Sequence, residues 1–176
     1  MAAALFRAVA GRGGEDVSVS SVGLLEGGHP ASAEVVNALA PYGADLRHHC
    51  STAIDRQAVR GADLVLGLER RHGREAVLLV PDAWTRTFTL KELVRRGEKV
   101  GPRPPGRPLG DWLAVVGEGR ERRDLVGASP EDDVADPMGG GAAAYRATAS
   151  ALADLVQRLA RLLWPDAPLA AGAAPS

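Results

Sequence analysis

Cysteine, histidine and aromatic residues are all scarce in this chain of 176 residues. It holds one cysteine and four histidines, and only 4% of its residues are aromatic. One cysteine cannot form an internal disulfide, and with so few thiol and imidazole groups a cysteine-based zinc site is excluded. We therefore predict no structural metal, and we expect a hydrophobic core to hold the fold together, because a chain of this length can bury one.

Long apolar runs and a charge excess of one sign are also missing. No run approaches the roughly 18 apolar residues that a membrane-spanning helix needs. Lys and Arg total 21 against 22 Asp and Glu, so overall charge favours neither nucleic acid nor an anionic membrane as a partner. The apolar start is too short for a signal peptide and is interrupted at Arg7. We expect a cytoplasmic protein that binds neither membrane nor nucleic acid.

Strand-like and helix-like segments alternate along the chain. The β-branched run at residues 17–22 and the apolar runs at 62–68 and 76–80 predict strands, the last two being typical of a buried parallel sheet. The alternation indicates an α/β fold, although three strands are few and none precedes the first helix. Helices are predicted over residues 2–9, from a Ser32 N-cap to residue 40, and over residues 57–61, 90–96, 112–117 and 142–164.

Two further stretches suggest binding but have plainer interpretations. Seven arginines between Arg95 and Arg123 could contact a phosphoprotein or nucleic acid, but glutamates interleave with them, so we expect a solvated surface. The glycines at residues 11–14 precede a predicted strand instead of following one, which is not the dinucleotide-binding arrangement. We expect no cofactor.

Four blocks of sequence occur in a distinctive order. They are MAAALFR with VSVSSVG (residues 1–7 and 17–23), DLRHHCS with ADLVLGLER (45–51 and 62–70), RTFTL (86–90) and DVADPMG (133–139). In this order they resemble the low-molecular-weight protein-tyrosine phosphatases of the bacterial type, over nearly the whole chain. The resemblance implies a flavodoxin-like domain over residues 1–166, with a four-stranded parallel sheet between helices. We expect residues 167–176 to be a flexible tail, as chain termini often are.

The nucleophile of that family is missing from the 176 residues. In the family, the first strand leads into a Cys-x5-Arg loop, whose thiolate attacks phosphorus while arginine and backbone N–H groups hold the phosphate. This sequence begins where the family has its first helix. We expect that it is N-terminally truncated and inactive as given. The complete protein would hydrolyse a phosphorylated protein or small phosphoester through a cysteinyl-phosphate intermediate.

Three site residues carry over from the resemblance. Asp136, in an Asp-Pro motif, matches the general acid that protonates the leaving oxygen, and the nearby carboxylates at residues 132 and 133 would favour its protonated form if they are close in space. Ser21 and His49 match residues that brace the phosphate loop. Each residue also has an interpretation without catalysis: Asp136 could start a turn, Ser21 could end a strand, and His49 could be a structural histidine. Met138 stands where the family has an aromatic residue, so phosphotyrosine preference stays open.

Two alternative functions remain. The chain could be a pseudo-phosphatase that binds partners without turnover. It could also use Cys50, because His49-Cys50 with Arg56 forms a His-Cys-x5-Arg string like that of the larger tyrosine phosphatases. The string contains no glycine to let N–H groups converge, and Asp55 would put a carboxylate beside the phosphate. We therefore expect Cys50 to be a packing residue.

Overall fold

A computed structural model describes residues 1–11 and 16–166 of the chain, so the tail predicted at 167–176 lies outside the described residues. The described part contains seven α-helices and two short β-strands. Their order is α1 (Ala2–Ala10), α2 (Ala33–Leu39), α3 (Arg56–Arg60), β1 (Val65–Gly67), α4 (Arg70–Leu79), β2 (Thr87–Thr89), α5 (Leu90–Val100), α6 (Leu109–Val116) and α7 (Gly141–Leu163), with 3-10 turns at Ala40–Tyr42, Pro81–Arg86 and Arg122–Leu125.

The two strands form a parallel pair, as an α/β fold requires. Val65 pairs with Thr87 and Gly67 with Thr89, and the connection between the strands is helix α4. All three residues of β2 are buried, and Phe88 is 0% exposed. The predicted fold class is therefore confirmed, with two of the four expected strands present among the described residues.

The segment at residues 17–22 was predicted as a strand, and this prediction is wrong for the described structure. Its exposure alternates as in a strand, but it has no ladder; only the following Gly23 forms an isolated parallel bridge, with Ala53. A strand needs a hydrogen-bonded neighbour, and in the described residues no strand pairs with this segment. The Val19 carbonyl accepts a hydrogen bond from Arg7 Nε instead, at 2.9 Å.

The apolar run at residues 76–80 was also predicted as a strand, and it is the end of helix α4. The helix begins at Arg70 behind a capping box in which the Glu69 side chain accepts from the His72 N–H. The buried residues are Gly73, Ala76, Val77 and Val80 while Leu78 is 67% exposed, and this i, i+3, i+4, i+7 spacing is one face of a helix. Short apolar runs do not distinguish a strand from a buried helix segment, and here the cap decides.

The predicted helices are all present, with small shifts at their ends. Ser32 caps α2 by accepting from the Val35 N–H at 3.4 Å. Helix α7 buries one face against α1, α2 and α5, so it forms the centre of the core. None of the helices in the described residues is long and apolar enough to span a membrane.

Candidate active site

The predicted general acid, Asp136, lies in a loop at the carboxyl end of β1. Its side chain is exposed, and its Oδ1 accepts a hydrogen bond from the Met138 N–H at 3.0 Å. This local turn holds the carboxylate at the rim of an open depression of about 510 Å³. The depression is lined by the N-cap and first turn of α4, by Lys91, and by the loop itself: Glu69, Arg71, Lys91, Ala128, Pro130, Asp133, Val134, Ala135 and Asp136.

Backbone contacts tie the loop to the sheet. The Val134 N–H donates to the Leu68 carbonyl at 2.8 Å. Asp133 accepts from two backbone N–H groups, those of Arg70 and Ser129, both at 2.7 Å. The first of these lies at the N-terminus of α4, where a carboxylate is favourable to the helix dipole. The loop that presents Asp136 is therefore fixed to the same edge of the sheet at which β1 ends.

Two cationic side chains add further anchors. Lys91 Nζ donates to the carbonyls of Pro130 and Asp133, at 2.9 and 2.7 Å. Arg95 Nη2 donates to Asp132 at 2.7 Å, so this arginine is engaged with the loop. Neither residue was a site candidate in the sequence, because nothing in its local pattern links it to a loop about forty residues away.

Asp132 does not act on Asp136 as a free like charge. It is 5% exposed, and its two oxygens accept hydrogen bonds from Arg70 and Arg95. Burial alone would raise the pKa of the Asp132 carboxyl, but the hydrogen bonds from the two arginines outweigh it and hold the pKa below its ordinary value. Asp133 is also hydrogen-bonded, but its partners are neutral backbone N–H groups, and the expectation that nearby carboxylates favour the protonated form of Asp136 stays a prediction.

His72 is half-buried in the first turn of helix α4, beside the N-cap Glu69. Its Nδ1 accepts from the Glu69 N–H at 3.2 Å. Burial lowers the pKa of His72, and Arg71 adds to this effect, whereas the carboxylates of Glu69, Asp133 and Asp136 pull the pKa upward. Of these charges, Asp136 has the smallest effect on the pKa of His72.

Ser21 and His49 do not line this depression. Ser21 is half-buried and lies just before the Gly23 bridge. His49 is half-buried in a turn, where its own backbone N–H donates to the Leu46 carbonyl at 3.0 Å. Of the three predicted site residues, only Asp136 borders the depression. The roles of Ser21 and His49 stay predictions that depend on a phosphate loop.

Cys50 is exposed and lies in a different kind of structure from a phosphate loop. It forms an antiparallel bridge with Pro30. The Ser51 N–H donates to the His29 carbonyl, and the Ile54 N–H donates to the Gly23 carbonyl. Asp55 caps α3 by accepting from the Ala58 N–H at 2.7 Å. The N–H groups of Ser51 and Ile54 therefore donate to neighbouring backbone and do not point to a common anion site.

The arginine-rich stretch is only partly the solvated surface that the sequence predicted. The Arg120 side chain is 2% exposed and pairs with the buried Glu92 at 2.7 Å. Its guanidinium lies between the rings of Phe88 and Trp84, at 3.8 and 4.2 Å from their centroids. Arg123, by contrast, is 78% exposed. No cluster of His, Cys, Asp and Glu able to hold a metal ion occurs among residues 1–11 and 16–166.

Comparison with known proteins gives one family. The family model of low molecular weight phosphotyrosine protein phosphatases matches residues 1–101. No curated protein sequence shows a significant match.

Solved structures agree with this family. The low molecular weight protein tyrosine phosphatase from T. tengcongensis is 29% identical, with a TM-score of 0.65 over 90% of this chain and 86% of that one. The corresponding phosphatase from Bacillus subtilis is 26% identical, with a TM-score of 0.67 over 94% and 88%. An arginine phosphatase from Geobacillus stearothermophilus is 27% identical, with a TM-score of 0.63 over 91% and 80%.

Proposed function

Because this chain belongs to the low molecular weight phosphotyrosine protein phosphatase family, we propose that it is the acid-bearing part of a phosphomonoester hydrolase. The observation that carries the proposal is the loop of Asp136, anchored at the carboxyl end of β1 beside an open depression. In parallel α/β sheets, ligands bind at this end of the strands. Asp136 would donate a proton to the leaving oxygen as the phosphorus–oxygen bond breaks.

The cysteine and arginine of the reaction would come from a segment upstream of Met1. Two features support this proposal. Residues 17–22 have the alternating exposure of a strand and no ladder partner among the described residues, and β1 is paired there on one side only. A further parallel strand would satisfy such backbone groups, and a loop following it would emerge at the edge where Asp136 lies. The thiolate would attack phosphorus, and Ser21 and His49 would brace the loop.

The intact mass of the protein from its native source tests the upstream segment. A mass above 18.3 kDa by roughly 1.5–3 kDa, enough for one strand and a loop, is expected. A mass equal to that of the 176 residues would overturn this part of the proposal. The chain would then fit the pseudo-phosphatase alternative, for which binding without hydrolysis of an aryl phosphate is the expected behaviour.

A graft tests the function of the site itself. The first strand and Cys-x5-Arg loop of the Bacillus subtilis relative are placed ahead of Met1, and hydrolysis of an aryl phosphate is measured against pH. We expect activity that disappears when the grafted cysteine is changed to serine. Asp136→Asn should lower kcat about 100-fold or more, the usual range for a general acid. Asp82→Asn, an acidic residue outside the depression, is the matched control.

The same graft separates the competing functions. An active graft that is indifferent to Asp136→Asn would overturn the role of the acid. Activity in the ungrafted chain that Cys50→Ser abolishes would favour the Cys50 alternative. Phosphoarginine is assayed beside the aryl phosphate, because one similar structure is an arginine phosphatase and the exposed Met138 provides no aromatic wall.

Substrates would be phosphorylated proteins or small phosphoesters, and fractionation of cells tests the expected cytoplasmic location.

A further inference from the structure

The loop that carries Asp136 has no regular secondary structure of its own. Residues 126–140 contain neither helix nor strand. A catalytic group on such a segment reaches a defined position only if other side chains fix the segment, since proton donation depends on geometry at the level of a hydrogen bond. The question is therefore which groups fix it.

One buried carboxylate joins the loop to two helices. Asp132 Oδ2 accepts from Arg70 Nη2 at 2.8 Å and from Arg70 Nε at 3.1 Å, and its Oδ1 accepts from Arg95 Nη2 at 2.7 Å. Arg70 is the first residue of α4, and Arg95 lies in α5. A buried charge is tolerated when it is paired and hydrogen-bonded, and here both oxygens are satisfied.

Arg70 contacts the loop through both its side chain and its backbone. Its guanidinium holds Asp132, and its backbone N–H donates to the next residue, Asp133, at 2.7 Å. The segment three residues before Asp136 is thus held to the N-terminus of α4 by both the side chain and the backbone of Arg70. Two residues further along α4 lies His72, whose pKa the Asp136 carboxylate acts to raise.

We propose that the Arg70–Asp132–Arg95 triad is a positioning device that holds the Asp136 loop against the start of α4. Asp132 does not touch the depression, so it is a positioning residue and not a catalytic one. Its catalytic meaning rests on the proposed function, but the positioning itself is a property of the folded chain and is testable without any hydrolysis.

The interaction between Asp136 and His72 provides the reporter. The charged groups around this imidazole are Glu69, Arg71, Asp133 and Asp136. The His72 titration is followed by NMR in the 176-residue chain, in Asp136→Asn, in Asp132→Asn and in the double variant. We expect Asp136→Asn to lower the His72 midpoint, because it removes a carboxylate that stabilises the imidazolium. In the Asp132→Asn background, this shift should fall to roughly half or less.

Hydrogen exchange gives a second readout. The Val134 N–H, which donates to Leu68, should exchange about tenfold faster or more in Asp132→Asn, because the loop opens locally without global unfolding. Asp154→Asn is the matched control. It removes an exposed carboxylate that also pairs with an arginine, Arg158, at 3.2 Å, and should leave both readouts unchanged.

Equal His72 shifts in both backgrounds, together with unchanged exchange at Val134, would overturn the proposal. If Asp136→Asn leaves His72 unaffected, unchanged exchange at Val134 in Asp132→Asn overturns it alone. If Asp132→Asn does not fold, Arg95→Gln removes one of the triad's three hydrogen bonds and should produce the same changes at smaller size. In the grafted enzyme, a role in positioning predicts that Asp132→Asn lowers kcat more than it changes KM. An inactive graft would count against the proposed function alone, because the titration and exchange results do not depend on activity.

Discussion

The buried arginine at residue 120 gives a sharp test of what holds the strand β2 region together. Arg120 Nε donates to Glu92 Oε1 at 2.7 Å, and Nη2 donates to the Thr87 carbonyl at 2.6 Å. The guanidinium lies between two aromatic rings. Arg120→Met keeps much of the apolar stem and removes the charge and the donors, so it isolates the polar contribution of this side chain.

The size of the effect follows from the burial of the partner. Glu92 is 5% exposed, and removing one partner of a buried ion pair costs about 3–5 kcal/mol because the other charge is left uncompensated. Glu92 keeps a second partner, Arg96, at 3.1 Å, which places the expected loss near the lower end, about 3 kcal/mol. Domains are typically stable by about 5–15 kcal/mol, so the loss is a large fraction of the total.

Urea unfolding at neutral pH, followed by tryptophan fluorescence and circular dichroism, measures the loss. Arg123→Met is the matched control, because its pair with Glu121 is 78% and 56% exposed and exposed pairs contribute about 0–1 kcal/mol. The double variant of Arg120→Met with Glu92→Gln should recover part of the loss, since the buried carboxylate is removed and the Arg96 that loses its partner is 24% exposed. A loss below about 1 kcal/mol for Arg120→Met, or purely additive effects in the double variant, would refute the reasoning.

Two further predictions concern packing and pH. Gly97→Ala should reduce the free energy of unfolding by about 1–3 kcal/mol, because an added Cβ would lie 2.8 Å from Leu162 Cδ1 and 3.2 Å from the Trp112 ring. Gly110→Ala in α6, where nothing lies within 4 Å, should be neutral or stabilising in the same urea assay. The pKa of Asp132 is lower in the folded protein than its ordinary value of 3.8. The ionised carboxylate therefore contributes its full stabilisation at pH values above 3.8, and this contribution is lost as the pH falls through the folded-state pKa. In Asp132→Asn, the free energy of unfolding should fall less steeply as the pH is lowered, as measured by urea unfolding at a series of acidic pH values. An unchanged dependence on pH would contradict the assignment.

Helices were more predictable from this sequence than strands, and the reason is physical. Helix α7 has 23 residues, so its apolar period repeats over many turns, and α2 has the local cap of Ser32. The strands have three residues each, too short for any period to appear. What makes Thr87–Thr89 a strand is its ladder with Val65–Gly67, and the paired residues are 22 positions apart in sequence.

The same distinction between local sequence patterns and contacts of distant residues applies to the site. Asp136 could be found because Asp-Pro is a contiguous motif and the order of blocks around it is distinctive. The residues that anchor its loop could not, because each is an ordinary arginine or lysine whose partner is 37 to 63 residues away in sequence. Arg95 belonged to a stretch that resembled a solvated surface, yet it holds the buried Asp132. A motif therefore identifies the group that would exchange the proton, and only the three-dimensional contacts identify what keeps that group in place.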